Sequence, residues 1–398
     1  MNDQNRSNMI PRGSRDLAGA KCGLRRELEA GLMALYASRG YEEISTPTLE
    51  YYELFTACDN AIALDSAYKL IDGDGGILVL RPDLTVPASR LVATRLRDAR
   101  PPLRLCYSAP VFRRQSRGGV RTELAQSGVE LVGAGGIRAD AEIILMAADA
   151  LERAGVKDYK IELGHAGIFK SLAASMNLDE DTYETMRQHI EKKNYAALSA
   201  LLAGLDGQRA AAAAVMARLP RLFGGREVLA QAGGLIADPA ALSVLDYLDR
   251  LMSVIESAGL DGQFMVDLGL VQHIDYYTGV VFRGYIGGAG APVLSGGRYD
   301  NLYGRLTSPM PAAGFAVMLD EVADAREKSG GYAVRRPDIM IHYEDGYAGH
   351  AREIAGKTDG ICMISTFDTV GQSAADARQR GIARLVIIDE QGAREVAV

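Results

Sequence analysis

Apolar residues recur every three or four positions through "AKCGLRRELEAGLMALYASRG": Leu24, Leu28, Leu32 and Leu35 form one stripe, and Gly40 follows. That spacing predicts an amphipathic helix ended by a glycine. The pattern then shortens. "YEEISTPTLEYYEL", closed by Pro47, and "GILVLRPDLT", "LRLCYSAPVFRR" and "LAQSGVELVG" read as strands. A helix, "DAEIILMAADALERAG", follows them, and "YKIELGHAGIF" reads as a further strand.

Beyond about Leu172, and as far as about Gly259, alternation gives way to Ala- and Leu-rich runs such as "ALSALLAGL" and "AAAAVMARL". These predict a helical insertion over about 173–260 within a first domain spanning 1–325. Strands return at "FMVDLGLV" and "GVVFRGYIGG", "SGGRYDNLYGRL" opens a helix, "AAGFAVML" is a strand and "DEVADAREKSG" a helix. The Gly- and Arg-rich "KSGGYAVRRP" reads as a linker. The tail, 335–398, alternates strand and helix ("DIMIHY", "AGHAREIAG", "ICMISTF", "GQSAADARQRG", "ARLVIID"), which predicts a small parallel α/β module of three strands.

Composition narrows the function. Of 398 residues, 48% are hydrophobic and 24% charged, the profile of a globular protein with a substantial core. A net charge of −7 and pI near 5.4 argue against a surface dominated by nucleic-acid contacts, which depend on Lys and Arg. Cys22, Cys58, Cys106 and Cys362 are scattered, without metal-ligand spacing, and read as reduced thiols. Met1 to Asn8 is polar, no apolar h-region follows, and no window reaches the length of a membrane span. A cytosolic protein that uses no membrane is expected.

The glycine-rich "GAGGIRAD" and "GGAGAP" lack the order of a phosphate-binding loop, and His165, His189, His273, His342 and His350 form no ligand set with carboxylates or cysteines. Neither a cofactor nor a metal is expected. The stronger signal is a set of polar residues embedded in strands. "LRPDLT" places Arg81, Asp83 and Thr85 at period two, "VFRRQS" puts Arg113 at a strand end, and "ELAQSGVELVG" aligns Gln126, Gly128 and Glu130. "IDYYTG" adds Asp275, Tyr276 and Tyr277, and "LSGGRYDNL" has two glycines that permit close backbone approach. Each alone is more often a satisfied polar residue at a sheet edge. Together on one antiparallel surface they suit a small ligand with an ammonium group and a polar ring.

From Pro11 to about Ala323 these segments resemble the catalytic domain of histidyl-tRNA synthetase. The helix and strand ending at Pro47 resemble motif 1, "VFRRQS…RTELAQSGVELVG" motif 2, and "GFAVMLDEV" motif 3. "LVQHIDYYTGVVF" and "SGGRYDNL" resemble the two motifs peculiar to the histidine enzyme. The resemblance implies an α+β fold: a class II aminoacyl-tRNA synthetase-like antiparallel sheet flanked by helices, with the insertion and the small C-terminal α/β module attached. It also implies a histidine pocket in which Asp83, Thr85 and Gln126 face the α-amino group and Glu130 and Tyr277 the imidazole. Tyr276 belongs to the same pocket, and Arg113 matches the motif 2 arginine.

The nucleotide side departs from the family. Gln272 stands where the synthetase has an arginine, Glu321 where motif 3 has its triphosphate-clamping arginine, and Gln115 where motif 2 has a glutamate. Arg121 sits near, but not at, the next arginine. Loss of a preorganised charge of this kind costs roughly 100- to 1,000-fold in rate. The pattern resembles the regulatory subunits of ATP phosphoribosyltransferase. It implies no catalytic residue here, a short-form catalytic subunit as partner in a hetero-octamer, self-association through motif 1, histidine as effector and no tRNA. A divergent histidyl-tRNA synthetase and a stand-alone histidine-binding paralogue are the alternatives.

Overall fold

The helical stripe near the N-terminus becomes helix Ala20–Ser38, which buries Leu24, Leu28, Leu32 and Tyr36; Gly40, at φ 80°, turns the chain out of it. The computed structural model describes residues 9–58, 66–114, 121–271, 276–330 and 336–398. Two compact units emerge, Met1–Gly331 and Tyr332–Val398.

The first unit is built on a nine-stranded sheet. Its order is Glu42–Glu43, Leu103–Phe112, Glu123–Val132, Ala312–Met318, Leu294–Arg298, Val280–Ile286, Tyr159–His165, Phe264–Asp267 and Phe223–Gly224. From Leu103–Phe112 across to Tyr159–His165 every neighbouring pair is antiparallel. Alternation along Glu123–Val132 sorts the two faces. Ser127 reaches Met33 of the first helix, and Val129 pairs with Phe315, whose ring meets Tyr36 edge-on at 6.2 Å. Gln126, Gly128 and Glu130 point the other way, so that one face packs on helices while the other is left for a site.

The helical segment begins earlier than about 173, with Ala166–Met176, and continues through Glu180–Glu191, Tyr195–Leu202, Gly207–Met216, Glu227–Gly233 and Pro239–Ser257. Asp179, Asn194 and Asp238 cap three of them by accepting from Thr182, Ala197 and Ala241 N–H groups. The two-residue strand Phe223–Gly224 ties this segment to the sheet edge at Phe264–Asp267.

Several local readings change: "YEEISTPTLEYYEL" holds only the short strands Glu42–Glu43 and Leu49–Tyr51 before helix Tyr52–Ala57, and Tyr36 takes the buried place expected of Leu35. "LRPDLT" is not a strand throughout: the strand Ile77–Leu80 stops before Arg81, and after the turn at 81–84 helix Thr85–Thr94 begins. Pro82 has no N–H to continue a ladder, and Asp83 Oδ1 accepts from Val86 N at 2.9 Å. Arg81 therefore points away from its supposed neighbours and donates to the Thr46 and Pro110 carbonyls. "YKIELGHAGIF" ends as a strand at His165 and becomes helical at Ala166, because His165 Nδ1 accepts from Gly167 N as an N-cap. "SGGR" is strand, with the short helix opening only at Asn301.

The second unit carries a four-stranded sheet in the order Cys362–Ile364, Ile339–Tyr343, Arg384–Asp389, Gly392–Ala397. The first three strands are parallel, as read from the sequence. The fourth, antiparallel to Arg384–Asp389, escapes a hydrophobic scan because Arg394 and Glu395 interrupt it. Both charges are paired across the strands, with Asp389 and Arg384 respectively.

Candidate functional site

On the open face of the large sheet lies a cavity of about 240 Å³ lined by Asp83, Thr85, Arg113, Gln126, Tyr276 and Tyr277 among others. Its floor depends on glycines in register. Gly314 pairs with Glu130 and Gly297 with Gly314. A Cβ at Gly314 would strike the Glu130 carboxylate, and one at Gly297 would lie 2.6 Å from the Tyr277 ring. Only glycine at both positions lets a carboxylate and an aromatic ring crowd onto the sheet.

Glu130 lies beneath this cavity, 1% exposed. Its carboxylate accepts from Tyr107 Oη at 2.9 Å and from Tyr299 Oη. Burial drives its pKa up to about 8, although hydroxyls of Thr85 and Tyr107 favour the anion. Asp83 is pushed up to about 6 by burial, against the pull of the Val86 N–H and the nearby Arg113 charge. Its Oδ2 has no hydrogen-bond partner among the described residues, and neither has the buried Tyr276 hydroxyl. Arg113 is anchored by its Nε, which donates to the Pro82 carbonyl at 2.7 Å. Tyr276 stacks on Tyr299, with centroids 5.2 Å apart, and meets Tyr277 edge-on. The cavity thus offers two carboxyl groups, a carboxamide and several phenols, some of them lacking partners. That set can receive an ammonium group and a ring with two polar atoms.

Tyr107, Ser295 and Tyr299 also contribute to this wall or its support, and strand reading passed over them. The signal for Tyr107 was its cross-strand place opposite Gly128, which needs the register. Tyr299 comes two residues after the glycine pair of "SGGRYD". Gln115, Gln272, His273 and Asp275 lie outside the described residues.

Glu321 opens helix Leu319–Lys328 and pairs with Arg121 at 3.0 Å. Arg121 also engages Asp324. Arg15 spans Asp320 at 2.8 Å and Asp324 at 3.0 Å, and Asp320 Oδ2 accepts from Ala125 N at 3.0 Å. Partial burial alone would raise Asp324, yet Arg15 and Arg121 outweigh it and hold the carboxyl below its ordinary value. Arg15 and Arg121 are therefore already matched to carboxylates from the motif 3 helix, and a polyphosphate would compete with fixed anions for them. Among the described residues no group of three or more His, Cys, Asp or Glu side chains could hold a metal ion, and no helix is long and apolar enough to cross a membrane.

The buried Glu130 carboxyl should leave a trace in stability. Native protein retains its proton up to pH about 8, whereas the unfolded chain releases it near the ordinary carboxyl value. Between those limits the native state binds more protons, so stability falls as pH rises. Glu130→Gln, neutral throughout, should flatten that fall in Tm measured by scanning calorimetry from pH 5 to pH 8.5. An unchanged slope would mean that Glu130 is ionised in the native protein.

The sequence profile of the histidyl-tRNA synthetase family matches residues 13–322. An ATP phosphoribosyltransferase regulatory subunit from Clostridium kluyveri is 40% identical over 337 residues, covering 84% of this chain and 86% of that one. Another from Clostridium novyi is 37% identical over 387 residues, covering 96% and 92%. Among solved structures, an ATP phosphoribosyltransferase regulatory subunit/histidyl-tRNA synthetase from Bacillus halodurans C has a TM-score of 0.85 at 32% identity, over 96% of this chain and 98% of that one. Histidyl-tRNA synthetase from Nostoc sp. PCC 7120 shares the fold at 19% identity and a TM-score of 0.79, over 98% and 97%. The class II synthetase-like α+β fold expected from the sequence is the one observed.

Proposed function

The chain belongs to the histidyl-tRNA synthetase family and, within it, to the ATP phosphoribosyltransferase regulatory subunits, and we propose that it serves histidine biosynthesis by binding histidine without activating it. The phosphoribosyl transfer takes place on a short-form catalytic subunit, which this chain makes competent and which histidine restrains through it. Histidine can inhibit only by binding one state of the assembly more tightly than another.

One observation carries this reading. A cavity provided with Asp83, Gln126, Tyr276 and Tyr277, above the buried Glu130, adjoins motif elements whose Arg121 and Arg15 are held by Glu321, Asp324 and Asp320. The amino-acid side is equipped, and the nucleotide side lacks free positive charge from these arginines. A ligand carboxylate has Arg113 within the same cavity.

Two surfaces support the partners proposed. In the sheet Leu49–Tyr51, Ile77–Leu80, Lys69–Ile71, cross-strand pairing puts Leu49, Tyr51, Leu70, Leu78 and Leu80 on one face. Leu49, Tyr51 and Leu70 are 41%, 60% and 42% exposed. A contiguous apolar face of this kind favours burial in an assembly, in keeping with self-association through motif 1 within a hetero-octamer. In the C-terminal unit, Glu344 and Asp345 follow one parallel strand and Glu390 follows another. An acidic strand end repels a phosphate backbone, which supports a role without tRNA.

Titration calorimetry tests the reading. Histidine should bind the purified chain with one site per chain, and ATP should neither be required nor alter the affinity. Absence of heat with histidine across micromolar to millimolar ligand would refute it.

A further inference from the structure

We propose that Asp140, Arg298 and Tyr247 form a positioning node for the Tyr276–Gly279 segment, through which occupancy of the cavity sets the helical insertion. This rests on the reading of the cavity as a histidine site.

The geometry begins at Asp140, 1% exposed in the first turn of helix Ile137–Arg153. Its Oδ2 accepts from Tyr247 Oη of helix Pro239–Ser257, and its Oδ1 accepts from Arg298 Nε at 2.7 Å. Arg298 is itself 6% exposed and ends the strand Leu294–Arg298. Its neighbours in the chain are the glycine beneath Tyr277 and Tyr299, which stacks on Tyr276 and donates to Glu130. Its backbone carbonyl accepts from Thr278 N at 2.7 Å, and Thr278 Oγ1 accepts from Asp300 N at 2.9 Å. The stem of Arg298 lies where Gly279 has no Cβ; one there would be 2.8 Å from its Cδ.

The insertion grips the same segment from its other end. Lys170 Nζ, on helix Ala166–Met176, donates to the Tyr277 carbonyl at 2.7 Å. Ala166 N donates to the Gly279 carbonyl at 2.9 Å. Between the two insertion helices, His165 meets the Tyr247 ring edge-on at 5.9 Å. Tyr276 and Tyr277 thus sit on a short stretch clamped by Arg298 on the sheet side and by Lys170 and Ala166 on the insertion side.

A buried ion pair contributes little net stability compared with an apolar replacement of similar shape, whereas it fixes geometry narrowly. Here the fixed geometry joins two cavity tyrosines to a helix that does not line the cavity. A ligand that takes up the free Tyr276 hydroxyl and orders Tyr277 will hold Thr278 and Arg298, and through Asp140 will hold Tyr247. The expected result is slower local opening of helix Pro239–Ser257 when histidine is bound.

Hydrogen exchange followed by mass spectrometry, on the full chain with and without saturating histidine, reads this. In the unaltered chain histidine should slow amide exchange in 239–257 by about fivefold or more. Tyr247→Phe keeps the ring and removes only the hydroxyl. It should bind histidine within about threefold of the unaltered affinity, yet show less than about twofold slowing in that helix. A purely structural role would speed exchange equally with and without histidine and leave the ratio intact. Lys170→Met, which removes the second link, should reduce the ratio as well, and it serves if the first variant folds poorly. Histidine binding with no slowing in 239–257, or full slowing in both variants, overturns the node. Failure of the unaltered chain to bind histidine overturns the cavity reading and this inference with it.

Discussion

Mixed with a short-form ATP phosphoribosyltransferase catalytic subunit, the chain should raise phosphoribosyltransferase activity at least about ten- to hundredfold over that subunit alone, a coupling of about 1.4–3 kcal/mol. Histidine added afterwards should lower the rate. On the proposed reading this chain supplies no reacting group, so the gain comes from shifting the partner between states. The required observation is a complex on gel filtration whose activity tracks its concentration. A catalytic subunit equally active without this chain, or no complex, would remove the proposed partner.

Within the chain itself, Glu130→Ala should produce the largest loss of histidine affinity. The side chain lies under the ligand space with Tyr107 and Tyr299 donating to it. Truncation removes the acceptor proposed for the imidazole and leaves two buried phenols without their partner. Loss of the ligand's buried hydrogen-bond partner costs about 1–3 kcal/mol, so affinity should fall by roughly 5- to 150-fold. Tyr277→Phe should cost less, because the ring still covers Gly297 and only the hydroxyl is lost. Calorimetry reads both, and unchanged affinity in Glu130→Ala would take Glu130 out of the site. Pairing the titration with a melting curve separates lost recognition from lost fold, since the same carboxyl is unfavourable to bury as an anion.

Much of the candidate cavity is legible in the sequence. The period-two alignment of Gln126, Gly128 and Glu130 holds because they lie on a central strand with one face free. The helical stripe Leu24, Leu28, Leu32 needed only a count of three and four. What was not readable depended on turns and register. Asp83 and Thr85 come to the cavity from a turn and a helix start, where a strand count has no authority, and Arg81 supports backbone carbonyls instead. Tyr107 and Tyr299 are ordinary strand residues until the pairing with Gly128 and the packing on Glu130 are known. Glu321 was legible as a charge reversal, but its consequence was not. Only the fold brings Arg121 and Arg15 from distant parts of the chain onto Asp320, Glu321 and Asp324, so that arginines and acids cancel one another. The fourth strand of the C-terminal unit was hidden by Arg394 and Glu395, whose partners lie across the sheet.

Histidine, on the proposed reading, is held here but not adenylated. Histidine-dependent exchange of labelled pyrophosphate into ATP measures that step alone, without tRNA or a partner protein. The expected result is a rate at background, at histidine concentrations that calorimetry finds saturating. Exchange well above background that requires histidine would identify a working synthetase and contradict the account.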